Sequence, residues 1–201
     1  NAGKQFGLTE SRNSIASEVS DFLSSANSSL EKLPYVYRRL FQISPLENDR
    51  LYVSRDNEES QMQAAFMNWQ NGGYAPVIIS AEKGGGITSF LNISLNRIEN
   101  KTTIKRLSIK PSVYNQDEVL NILGEMFLPK KFFNIEELVI FLNSGDNKHT
   151  IVIENLQHMY LRSVKGFLCL KVLIDIISKT NKNIFWIVTT TLYANKFLDD
   201  T

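Results

Sequence analysis

Apolar positions change their period several times along this chain, and each change marks an element. Between Leu8 and Leu33, the residues Ile15, Val19, Phe22, Leu23, Ala26, Leu30 and Leu33 recur at spacings of three and four, with serines, acids and asparagines between them. That spacing draws one apolar stripe along a helix. Pro34 ends it, and the many serines lower intrinsic helicity, so the stripe needs a surface to pack on. Tyr35–Phe41 and a loop with Pro45 lead to Leu51-Tyr52-Val53 and a helix over Asp56–Gln70, which Asn71-Gly72-Gly73 closes. Val77-Ile78-Ile79 is an apolar run of strand length, Ala81–Gly86 a glycine-rich turn, and Thr88–Ile98 a helix. Further strands are expected over Ile104–Ile109, His149–Ile153 and Ile184–Thr191, with helices over Gln116–Phe127, Glu136–Leu142 and Val164–Ile177. Strands alternating with helices at this spacing predict an α/β fold with a mostly parallel sheet covered on both faces. The expected division is an N-terminal helical extension over residues 1–45 and a core over residues 46–201.

Composition narrows the function classes. A chain of 201 residues, 43% hydrophobic and 21% charged, suits one globular domain with a sizeable core. A net charge of +1 provides no strong field for nucleic acid or an anionic membrane, so nucleic acid is a disfavoured partner. The single cysteine, Cys169, lies in an apolar run, reads as a buried thiol and has no internal partner, which points to a reducing cytoplasm. No apolar run approaches the roughly 18 residues of a membrane span, and the N-terminus carries no signal-peptide pattern. The opening Asn1-Ala2-Gly3 reads as a piece of a longer protein, cytoplasmic or membrane-tethered as a whole. His149 and His158 lack metal-ligand spacing and read as surface or capping residues.

Candidate chemistry lies where strands end, because ligands of open α/β sheets sit beyond the carboxyl ends of the strands. Pro76–Asn92 has the layout strand, glycine loop, helix. In the phosphate-loop pattern G-x-x-x-x-G-K-[ST], backbone N–H groups cradle phosphates, the lysine reaches the terminal phosphates and the hydroxyl holds magnesium. In that register Ala81 takes the first glycine, Gly86 the second, Ile87 the lysine and Thr88 the hydroxyl. The cradle is kept and the charge is lost; Lys83 is the only lysine in the loop. Glu154-Asn155, after the strand that starts at His149, is a second candidate, and Thr189-Thr190-Thr191 a third, with Thr190 as the phosphate-sensing hydroxyl. Each also has a plain reading: glycines for a turn, asparagine as an N-cap, β-branched residues for a strand.

Taken together, Tyr52-Val53-Ser54-Arg55-Asp56-Asn57-Glu58, the loop ending Gly84-Gly85-Gly86-Ile87-Thr88-Ser89, Ile151-Val152-Ile153-Glu154-Asn155 and Ile184-Phe185-Trp186-Ile187-Val188-Thr189-Thr190 resemble the nucleotide-binding core of AAA-type ATPases. The branch they resemble is the bacterial one overlapping the signalling, STAND-like ATPases. The resemblance covers about Leu40–Leu198 and implies a P-loop NTPase three-layer sandwich, followed in the family by a lid domain that this stretch lacks. It implies an adenine border at Tyr52, Val53 and Arg55, a phosphate loop of Glu82, Lys83, Gly84, Gly85, Gly86, Ile87, Thr88 and Ser89, and a magnesium site at Thr88 and Glu154. Walker A and Walker B are both degenerate: the magnesium aspartate appears as Glu154 and the catalytic glutamate as Asn155, an amide that takes no proton from water. Removing such transition-state charges costs orders of magnitude in rate. The expectation is a pseudo-ATPase that binds ATP or ADP, with or without magnesium, or no nucleotide at all. Its partners are expected to be other domains of the parent chain, protein partners or further copies of itself. A slow ATPase using Lys83 and Glu154 and a DNA-associated AAA module are the alternatives.

Overall fold

The computed structural model describes residues 19–21, 24–25, 28–29, 31–34, 37, 44–47, 51–98, 101–110, 113–145, 148–160 and 166–199. The chain forms two compact units, Asn1–Ser44 and Pro45–Thr201. In the first, the described residues 19–21, 24–25, 28–29 and 31 are helical. Ser24 and Ser29 donate their hydroxyls back to the carbonyls of Ser20 and Ser25, the competing bond that makes serine a weak helix former. Ile15, Phe22, Leu23, Ala26 and Leu30 of the expected stripe lie outside the described residues.

The second unit contains, in chain order, α1 (Asp56–Gln70), β1 (Val77–Ala81), α2 (Ile87–Asn96), β2 (Thr103–Ser108), α3 (Gln116–Glu125), α4 (Ile135–Asn143), β3 (His149–Glu154), a short 3-10 turn (Leu156–Met159), α5 (Leu168–Thr180), β4 (Ile184–Thr191) and α6 (Leu192–Asp199). The four strands form one sheet in the order β1-β4-β3-β2, and every pair is parallel. The connection from β1 to β2 crosses the sheet one way, and β2 to β3 to β4 returns the other way. Because such crossovers are right-handed, α2 falls on one face and α3, α4 and α5 on the other.

Side-chain alternation follows that division. Ile151, Ile153, Trp186 and Val188 pack with α3, α4 and α5, whereas Val152, Phe185 and Ile187 pack with α1 and α2. The central strands β3 and β4 are covered on both sides, which is why each carries a continuous apolar stretch, Ile151–Ile153 and Ile184–Val188. Phe66, Trp69 and Phe185 form a ring cluster with centroids 5.3–5.6 Å apart on the α1 face, and the Trp69 indole donates to the Asn181 carbonyl at 2.7 Å. On the other face the Trp186 indole donates to Thr180 Oγ1 at 3.0 Å.

Two helices start with the same device. Asn115 accepts from the Glu118 N–H at 2.9 Å while the Glu118 carboxylate accepts from the Tyr114 N–H; Asn134 and Glu137 repeat this with the Phe133 N–H. The bounds of α1 and β4 match those expected, and the other expected elements of this unit appear with shifts of a few residues. Residues 161–165 lie outside the described set, and α5 runs on to Thr180 rather than stopping at Ile177. Helix α6 follows β4 directly, its first turn capped by Thr191 Oγ1, which accepts from the Ala194 N–H at 3.3 Å.

Candidate functional site

The carboxyl ends of all four strands lie at one edge of the sheet, so the loop after β1 and the residue pair after β3 belong to the same edge. The β1–α2 loop turns on a bond from the Gly85 N–H to the Glu82 carbonyl at 2.9 Å. Gly86 caps α2 at φ 76°, a left-handed conformation that L side chains rarely hold. At Gly85 the constraint is space: a Cβ would meet the Glu82 carbonyl oxygen at 2.9 Å and the Ala81 Cβ at 3.0 Å. Glu82, Lys83 and Gly84 form the exposed tip, and Gly85 through Ser89 are half-buried. Ile87, at the lysine position, packs against the apolar cluster between α1 and α2. Its side chain serves the core.

Arg55, the residue before α1, donates from Nη2 to the Gly85 carbonyl at 2.7 Å and lies against Gly86. A guanidinium thus rests on the glycine loop whose motif lysine is absent. Behind it, Glu59 accepts from the Arg97 guanidinium and from the Arg55 backbone N–H. Burial alone would raise the Glu59 carboxyl, but the Arg97 guanidinium, the neighbouring Tyr52 phenol and the Arg55 backbone N–H outweigh it and hold the group below its usual range. The Tyr52 phenol is pushed up by burial and by its contact with Glu59. Tyr52 therefore packs against the start of α1, while Val53 projects outward, 84% exposed.

At the end of β3, Glu154 is paired. Arg106 of β2 donates from Nε to Glu154 Oε1 at 2.6 Å and from Nη1 to Asn92 Oδ1 on α2, also at 2.6 Å. Asn92 in turn donates to the Leu46 carbonyl, and the Leu46 N–H is taken by Ser89 Oγ at 3.0 Å. One line of polar contacts thus runs from Ser89 to Glu154.

Asn155 stands at φ 67°, the left-handed region that asparagine tolerates better than other side chains do. Its amide donates to Ser108 Oγ at 3.1 Å and accepts from Gln157, and its N–H points at Thr189 Oγ1 at 3.4 Å. Alternation places Thr189 on the α1/α2 face with Glu154, and Thr190 on the opposite face against Tyr160, whose phenol is raised by burial and contacts Thr190. Among the threonines, Thr189 adjoins the acidic strand end.

The chain matches no protein-family model and no curated protein sequence. Solved structures do share its architecture. It is similar to Cdc6p from Pyrobaculum aerophilum, with a TM-score of 0.56 and 16% identity over 76% of this chain and 42% of that one. It is also similar to the ORC2 protein of Aeropyrum pernix, solved in ADPNP-ADP complexes, with a TM-score of 0.51 and 14% identity over 76% of this chain and 46% of that one. The fold is that of an AAA-type P-loop ATPase. The chain spans less than half the length of either structure.

The two groups that the AAA-type fold implies fare differently. A phosphate fits the loop: the first N–H groups of α2 have no partner within the helix, the glycines leave the approach open, and Arg55 adds a cation. At the strand end expected to hold magnesium, Glu154 Oε1 is already engaged by Arg106. No group of three or more His, Cys, Asp or Glu side chains is placed to hold a metal among the described residues. No described helix is long and apolar enough to cross a membrane. Arg106, Asn92 and Arg97 escaped the sequence reading; the signal for Arg106 was a charged residue two positions after Ile104, on the face that α2 covers.

Proposed function

We propose that this chain is a nucleotide-binding module of the AAA-type fold that has given up hydrolysis and acts as a regulatory or assembly element of a larger protein. One observation carries this reading: the β1–α2 loop keeps a conformation only glycine accommodates, in front of a helix start and under Arg55, although its lysine position has gone to the core. A plain connector has no need of that crowding.

Binding and chemistry separate in this reading. The α2 N–H groups and Arg55 hold the phosphates of ADP or ATP, with Tyr52 and Val53 at the base side. Hydrolysis fails because Ile87 provides no charge, Glu154 is neutralised within the protein, and the Asn155 amide is spent on Ser108 and Gln157. Its partners are other domains of the same chain, other proteins or further copies.

Calorimetry of ADP and ATP tests the binding half, and a coupled phosphate-release assay tests the rest. Saturable binding that weakens about tenfold in Arg55→Ala, with no steady release of phosphate, is the expected result. Sustained magnesium-dependent turnover abolished by Lys83→Ala would establish the slow ATPase instead.

A further inference from the structure

We propose that Arg106 is the resident cation of this pocket: it occupies the electrostatic place of a divalent metal at Glu154, so that the site takes no metal and accepts a metal-free phosphate ligand. The second half rests on the nucleotide-binding reading above; the first stands on the ion pair.

The geometry is built rather than incidental. Arg106 and Glu154 lie on the adjacent strands β2 and β3, and alternation brings both to the face that α2 covers. Their contact is 2.6 Å, with 30% of the arginine side chain and 16% of the glutamate side chain exposed, so the carboxylate is the more shielded end. Asn92 takes a second guanidinium N–H and is itself tied through Nδ2 to the Leu46 carbonyl. A fork held at two points by acceptors from different elements has a fixed direction, as a planar guanidinium favours.

A metal binding Glu154 Oε1 has to displace the Arg106 Nε–H and stand beside the positive charge of the guanidinium, which is unfavourable. Arg106 further changes what a phosphate meets. An unpaired carboxylate at this edge repels it unless a metal stands between them; a paired one does not.

The test is made with three variants of the full chain, Arg106→Gln, Glu154→Gln and the double variant, titrated with Mn2+ alone and with ADP. Mn2+ is expected to show no saturable site in the wild type; a site that disappears in Glu154→Gln overturns the proposal. ADP is expected to bind the wild type equally, within about twofold, in EDTA and in excess magnesium. Arg106→Gln should lose about tenfold in EDTA, and the double variant should recover, since removing the uncompensated carboxylate removes the repulsion. A wild type that needs magnesium, or a double variant no better than Arg106→Gln, overturns it. If ADP binds the wild type under neither condition, the nucleotide reading falls, and with it the ligand half of this proposal. The cation half is then decided by Mn2+ and by melting temperatures: coupled losses, with the double variant no worse than the poorer single variant, uphold it, and additive losses overturn it.

Discussion

At Gly85 the carbonyl of Glu82 stands where a side chain would begin, so one methyl group is enough to force the loop backbone to move. Gly85→Ala is expected to cost about 1–3 kcal/mol, read as a lower denaturation midpoint at unchanged slope. Asn155 presents the opposite case, a side chain kept at positive φ by its own hydrogen bonds. Asn155→Gly should be tolerated better than Asn155→Ala, and Asn155→Glu should not start turnover, because it leaves Ile87 and the paired Glu154 in place. His149 gives a pH dependence. Burial, with a smaller contribution from Lys105, lowers its pKa below the usual 6.5, so the folded state binds its proton less readily than the unfolded chain does. Stability is then full above about 6.5 and declines as the pH falls towards the lower folded value. His149→Gln should flatten that part of a stability profile measured by urea titration.

Among the elements, α3 and α4 share the Asn-x-x-Glu start, and each asparagine satisfies a donor that the helix leaves open. Asn134→Ala is expected to cost about 1 kcal/mol, measurable by denaturant titration. Strands β3 and β4 could be read from sequence because burial on both faces gives each a continuous apolar stretch, and the glycine loop could be read because its backbone needs glycine. Helix α6 could not: nothing breaks the chain between Thr191 and Leu192, and Thr191 belongs at once to the strand and to the cap. Three identical residues at 189–191 carry no alternation, so only the sheet tells which threonine faces Glu154. Arg106 and Glu154 stand 48 residues apart, and their meeting depends on the β2–β3 register, which a single sequence does not contain.

For the whole molecule, the sheet separates two apolar clusters that touch different helices yet share β3 and β4. A chain folded in this way is expected to lose both clusters in one transition, since each central strand contributes side chains to both. The glycine loop follows β1 and Glu154-Asn155 ends β3, and both strands pair with β4, so the two halves of the candidate site should be lost together. The two tryptophans lie in opposite clusters, each with its indole N–H bonded to a different acceptor at 2.7 and 3.0 Å. The protein therefore carries a natural fluorophore on either side of its sheet. Emission from Trp186→Phe reports the α1 side alone, and emission from Trp69→Phe the α5 side, so two melting curves recorded without any label would reveal whether ADP tightens only the layer that carries the loop or stiffens both.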